Sequence, residues 1–321
     1  MSIADNPIFS DATAAREWLE ALLWPDGPVC PHCGLIGAAY ALRGKKQRAG
    51  LYRCKGCEEQ FTVTVGTVFE RSHIPLNKWL FAFQMMVASK KGVSAHQVHR
   101  MLGITYKSAW FMCHRIREAL TTGPLAKLGG ENRVVEIDET YVGGKEANKH
   151  ANKRTPHSQG GANKAAVLAL VEREGTVRSQ HVAKVNGKTL GPILHHNIDR
   201  ATHLMTDDAT VYPPLAKGFA GHSSVNHSAE EYVRLAGFAH TNTVENYFSI
   251  LKRGIIGTYH HVSEAHLHRY LAEFDFRYNA RARLGIDDAM RMAKAAKGIA
   301  GKRLTYRRAS RPQEADDEIP F

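Results

Sequence analysis

Hydrophobic and polar positions fall into three textures along the chain. Residues 1–70 carry a short helical pattern and the strand-like stretch QFTVTVGTVF; 71–122 read as consecutive short helices; 131–285 alternate strand and helix patterns. In PLNKWLFAFQMMVASKKG, the residues Leu76, Trp79, Leu80, Phe83 and Val87 share one helical face. Ser94 and Gln97 form a capping-box pattern opening a short helix, Gly103 supplies a turn, and Thr105 caps the helix YKSAWFMCHRIREAL. Ala109, Met112, Cys113, Ile116 and Leu120 form that helix's inner face, which leaves Lys107, Ser108, Phe111, His114 and Arg115 pointing outward. Cys113 is then a buried, inert thiol. A short helix, a Gly turn and a polar, basic second helix suit a helix-turn-helix in a major groove; the pattern alone suits a plain three-helix packing unit nearly as well, and the neighbouring cysteine pairs and the net charge favour DNA binding.

The stretch RVVEIDETYVGG alternates apolar and polar residues and stops at Gly-Gly, which predicts a strand and a turn. Val135 and Ile137 point one way, Glu136 and Asp138 the other. KAAVLALVERE and TVRSQHV predict a hairpin, KTLGPILHHNI a helix, HLMTDDATVY a second short strand, and SSVNH a third. Asp207 and Asp208 cannot both face one cleft from a continuing strand, and either can cap the following helix. In HTNTVENYFSILKR, Val244, Phe248, Leu251 and Ile255 make a buried stripe. Glu245, Ser249 and Lys252 lie beside it, the acid and the ammonium too far apart for an i,i+4 pair. Leu267, Tyr270, Leu271, Phe274 and Tyr278 form the core stripe of a last helix. Its Glu273 and Asp275 read as ion-pair partners, with Arg277 and Arg281 as their mates or as DNA contacts.

Charge and cysteines narrow the class. The 321 residues include 43 Lys and Arg against 31 acids, for a net charge of +12. That excess suits a polyanion, nucleic acid before membrane surface. No apolar stretch is long enough for a membrane span, and the acidic, interrupted start is neither signal nor transit peptide, so a cytoplasmic location is expected. Four of the five cysteines fall in two pairs, CPHCG and CKGCE, in a C-x2-C, twenty residues, C-x2-C spacing. Cys30, Cys33, Cys54 and Cys57 therefore predict one structural Zn2+ with a closed four-sulfur shell and no open catalytic position. The run KEANKHANKRTPHSQGGANK is a basic insertion, read as a DNA-touching loop or a solvated charge run. KRGIIGTYHH adds Lys252, Arg253, Tyr259, His260 and His261, assigned to phosphate contacts.

An acid on an early strand, a hairpin, a helix, an acid ending a later strand and an acid on a helix is the order of a ribonuclease-H-like fold. The stretches EIDETYVGGK, MTDDATVY, HTNTVENYFSILKRGIIGTYHHVS and HLHRYLAEFDFRYNAR, with the cysteine pairs and FTVTVGTVFERSHIPLNKW, resemble bacterial insertion-sequence DDE transposases of the Merlin-related, ISXO-type group. The likeness runs from about residue 18 to 290. It implies an α/β catalytic domain, a mixed sheet flanked by helices, over 131–290. A zinc ribbon (1–70) and a helix-turn-helix-like domain (71–125) precede it, and a basic then acidic, poorly ordered tail (291–321) follows. By the same resemblance the catalytic acids are Asp138, Asp207 and Glu245. Asp207 is taken over Asp208 because the motif sets the acid five residues before a Tyr, here Tyr212. They would hold two Mg2+ or Mn2+ ions. Lys107, His114, Arg115, Lys252, Arg253, Tyr259 and His260 would touch double-stranded DNA, at the element's inverted-repeat ends and in the target. A homodimer or larger assembly on DNA is implied, with cleavage followed by strand transfer. A zinc-ribbon regulator would not need the three acids, and a nuclease of this fold would cut without joining.

Overall fold

The computed structural model describes residues 5–305 apart from 45–46, 124, 145, 156–160, 162 and 227–237. The helix α1 (Ala12–Leu23) starts at Asp11, whose side chain accepts from Thr13 N. A small antiparallel sheet follows, of β1 (Ala39–Ala41), β2 (Tyr52–Cys54) and β3 (Gln60–Phe61). Trp24, Tyr52 and Phe61 pack as a cluster of rings beside its cysteines.

Three helices come next: α2 (Leu76–Ala88), α3 (Ala95–Leu102) and α4 (Tyr106–Leu120). Their ends follow the local chemistry. Ser94 and Thr105 cap α3 and α4, and Gly103 ends α3 in the left-handed region at φ 59°. The expected inner face of α4 is buried, and burial pushes the Cys113 thiol up to about 11.

After the helices comes a five-stranded sheet in the order β6-β5-β4-β7-β8. Its strands are β4 (Val134–Val142), β5 (Ala165–Glu172), β6 (Val177–Val182), β7 (His203–Asp207) and β8 (Gly221–Val225). β4, β5 and β6 pair antiparallel, whereas β7 and β8 run parallel to β4. This mixed sheet is a ribonuclease-H-like arrangement. On one face Val135, Ile137, Leu168, Leu170 and Leu204 pack under α5 (Gly187–Asn197) and α6 (Tyr212–Ala216). On the other, Val167, Ala169 and Val171 pack under α7 (Asn242–Gly254) and α8 (Glu264–Asn279). A π-helical turn, Ile255–Tyr259, extends α7.

The expectation of a poorly ordered tail from residue 291 is corrected. α9 (Asp288–Lys297) buries Met292, Ala295 and Ala296, followed by Ile299, in the core that α1, α2 and α4 share. Those four positions recur at helical spacing, a stripe hidden between lysines. Residues 306–321 lie outside the described residues. So does part of the basic insertion, including 156–160, and so does the last residue of SSVNH; the described strand there is Gly221–Val225.

Candidate active site and zinc-binding ribbon

The register of the sheet sets the first two acids side by side. Glu136 stands opposite Met205 in the parallel β4–β7 pair, so continuing two residues brings Asp138 level with Asp207 at the end of β7. Partners at one level of a parallel pair share a face, here the face covered by α7. Asp207 accepts a hydrogen bond from Ala209 N at 3.2 Å, while Asp208 is exposed. Glu245 lies in the first turn of α7, exposed, its Oε1 accepting from Thr241 Oγ1 at 2.9 Å. Burial raises the Asp138 carboxyl to about 7, helped by the fields of Glu139, Asp207 and Glu245; the amide of Glu139 donates to it and opposes the rise. Asp207 and Glu245 thus both act on Asp138, without the three acids closing on one point. Among the described residues, only the four cysteines gather three or more possible metal-ligand atoms within 4.8 Å of one another.

What holds α7 over the acids is Glu136, to which the sequence reading gave no role. Its carboxylate is fully buried and accepts from Thr243 N at 2.8 Å, Val244 N at 2.9 Å and Thr243 Oγ1 at 2.9 Å. No side chain of α7's own N-terminus caps it, so a strand delivers the anion that the free amide groups and helix dipole require. Arg173 donates to Glu136 at 2.7 Å and also to the carbonyls of Phe238 and His240 at 2.8 Å. The signal was available in the alternation, since an acid two residues before Asp138 shares its face. Tyr212 likewise donates to Glu139 from beneath the sheet, tying the start of α6 to β4.

The expected DNA contacts separate into two groups. Lys107, Lys252, Arg253 and His260 are exposed, and Lys252 lies two turns beyond Glu245 on the same side of α7. His114, Arg115 and Tyr259 do not face outward as expected. α8 packs on one side of α4 and the segment before α2 on the other, so α4 is buried nearly all round. Arg115 donates to the Glu70 carbonyl at 2.7 Å and lies over the Trp79 ring. His114 sits among Trp110, His266 and Tyr270, where burial first, then the field of Arg117, lowers it to about 3. Tyr259 donates to Glu273 at 2.6 Å, and burial pushes its hydroxyl pKa up. Glu273 pairs with Arg117 and Arg277, as an ion pair was expected to. Among the described residues Asp275 has no arginine ion pair; it accepts from Ser179 and Tyr247.

In the ribbon, Cys30 Sγ and Cys57 Sγ are 3.6 Å apart and Cys33 Sγ and Cys54 Sγ 3.5 Å. Four ligands at about 2.3 Å in a tetrahedron stand roughly 3.8 Å apart, so the donor set fits zinc. Backbone N–H groups of Cys57 and Gly56 draw the Cys54 thiol down to about 6, towards the thiolate a metal needs.

Sequence comparison agrees with this division. The ISXO2-like transposase domain matches residues 127–279, and a transposase zinc-ribbon domain matches residues 10–60. Over 282 residues the chain is 30% identical to an uncharacterized protein in transposable element ISH50 of Halobacterium salinarum, covering 84% of this chain and 91% of that protein. The chain belongs to the ISXO2-like transposase family. A shorter stretch of this transposase, 124 residues at 29% identity, resembles male abnormal protein mab-31 of Caenorhabditis elegans, across 33% of the chain and 29% of that protein. Among solved structures it is similar to a pre-cleavage Mos1 transpososome at 9% identity and TM-score 0.27, covering 68% of this chain and 75% of that one. A simian T-cell lymphotropic virus intasome in complex with PP2A regulatory subunit B56 gamma matches at 14% identity and TM-score 0.28, over 56% of this chain and 63% of that chain. Among the described residues, no helix is long and apolar enough to cross a membrane.

Proposed function

We propose that this transposase binds the inverted-repeat ends of its own element, cuts them, and joins the freed 3′ ends to target DNA, with Asp138, Asp207 and Glu245 as the catalytic acids. The observation that carries the reading is the state of Asp138. Its carboxyl is raised to about 7, first by burial and then by the fields of the acids Glu139, Asp207 and Glu245. Two carboxylates 4 Å apart repel by about 4 kcal/mol at an effective dielectric of 20, and less at the wider spacing of these three. A divalent cation relieves that repulsion, and oxygen donors suit hard Mg2+ or Mn2+.

Asp138, Asp207 and Glu245 would hold two such ions, which when bound supply Lewis-acid stabilisation for in-line transfer of a phosphodiester to water or to a 3′-hydroxyl. The protein's own part is positioning. Asp138 gives up its proton to become a ligand, Glu136 and Arg173 fix the start of α7, and Thr241 orients Glu245. Lys252, Arg253 and His260 on and beyond α7, with Lys107 on α4, would contact phosphates. Cys30, Cys33, Cys54 and Cys57 would hold one Zn2+. Because two element ends must be handled together, the working form on DNA would be a dimer or larger. A regulator without catalysis leaves the ordered acids without a purpose.

The test is a strand-transfer assay with the cognate element ends and Mg2+. Glu245→Gln should keep DNA binding and lose both cleavage and joining; undiminished activity removes the assignment. Cleavage by the unaltered protein without joined product would favour a nuclease.

A further inference from the structure

A groove runs beside the proposed active site along α7. Asn242, Asn246, Ser249 and Arg253 recur at i, i+4, i+7 and i+11, a polar row next to that of Glu245 and Lys252. Opposite the row stands the turn after α2, with Lys90 and Lys91. Two cavities of about 770 and 350 Å3 share Lys90, Asn246 and Ile250 in their linings, and so lie side by side along α7. Tyr278, Phe274, Arg281 and Arg283 line the larger of the two. Arg281 lies 4.1 Å over the Tyr278 ring, held there by the carbonyls of Gly175 and Tyr278. The one acid lining the larger cavity, Glu174, pairs with Arg283 at 3.3 Å.

We infer that this groove binds a single, unpaired strand of DNA leading away from the active site, its phosphates on Lys90, Lys91 and Arg253 and a base against the Arg281–Tyr278 stack. The inference rests on the transposase reading above and adds to it a site for one strand. Three features select that occupant. The lining is cationic with its acid already neutralised, as a phosphate chain requires. A guanidinium held flat on an aromatic ring offers a stacking surface to any base. The larger cavity has the size of a small-molecule site, about 300–1,000 Å3, which admits a nucleotide or two and excludes a duplex.

The test uses the full chain carrying Glu245→Gln, so that binding is read without chemistry. Fluorescent single-stranded oligonucleotides and duplex element ends are titrated across a salt series, with melting curves as the folding control. Lys90→Ala with Lys91→Ala should weaken single-strand binding about tenfold and reduce its salt slope by about 1.4, since each lost phosphate contact removes roughly 0.7. Duplex binding should change less than twofold. In parallel, a gapped duplex with 5-iodouracil in the unpaired strand should cross-link to the peptide containing Tyr278. Equal losses for single strand and duplex, no loss for either, or cross-links confined to other peptides would overturn the groove. None of these depends on cleavage. Failure of the groove therefore leaves the catalytic reading standing, and normal cleavage by Glu245→Gln leaves the groove to be judged by its own binding data.

Discussion

Two buried carboxylates show how much a single residue decides. Glu136 accepts four hydrogen bonds with no exposure to solvent, so its charge is matched by the N-terminus of α7 and Arg173, with His240 Nδ1 3.3 Å from it. Removing one partner of such a buried set costs about 3–5 kcal/mol. Glu136→Ala should lower stability to urea by about that much. Glu136→Gln, which keeps an acceptor, should lose less and should slow cleavage while leaving DNA affinity close to normal, as chemical denaturation and binding titrations would show. Asp275 behaves differently. Burial raises it to about 7 although Ser179 and Tyr247 donate to it. Because its native pKa lies above its unfolded value near 3.8, the folded state holds the proton longer. Its contribution to stability is therefore full below pH 4 and lost as pH rises through 7, at roughly 1.4 kcal/mol per pH unit in between. Asp275→Asn should flatten the fall in stability between pH 5 and 7. At this scale the sequence was readable where residue type and spacing carry the meaning, as with the four cysteines. For Glu136 the alternation shows only the face it shares with Asp138; its partners on α7 come from 107 and 108 residues away and are not readable.

Among elements, the contact of α4 with α8 joins the helical unit to the sheet. Glu273 of α8 meets Arg117 of α4 at 2.6 Å, with Arg277 and the Tyr259 hydroxyl on its other oxygen. Both guanidiniums and the carboxylate are buried, and the Glu273 carboxyl is held below the usual range against the cost of burial by Arg277 and Arg117. Glu273→Gln should leave two buried cations without an anion and destabilise the chain by about 3–5 kcal/mol, read from denaturant midpoints. It should also raise hydrogen exchange in α4 and α8 together. This contact explains why the outward side of α4 was misjudged. Periodicity separated an apolar stripe from a polar one, and it cannot see that α8 covers the polar stripe with rings and a matched acid. His114, Arg115 and Tyr259 look like DNA ligands by type, whereas tertiary packing makes them parts of the interior. The strand alternation of β4 and the caps of α3 and α4 were legible because they depend on neighbours a few residues away.

For the whole molecule, the ribbon, the helical unit and the sheet differ in what stabilises them. The ribbon's three strands have two or three residues each and a core of a few rings, too little to stand without its metal. Metal analysis should find one tightly held zinc per chain. Stripping it with a strong chelator should weaken duplex-end binding more than about tenfold. Far-ultraviolet circular dichroism should change little, since the helices lie elsewhere; absence of zinc from the purified protein would refute the four-sulfur site.

The place of α9 has a consequence for how the chain is made. Its Met292, Ala295, Ala296 and Ile299 finish a core begun by Ala15 and Leu19, so the helical unit is assembled from segments before and after the sheet, which is threaded between them. A ribosome must translate past Ile299 before that unit can close. A copy interrupted by a premature stop anywhere in the sheet would present the unfinished apolar surface to chaperones and proteases instead of a DNA-binding protein.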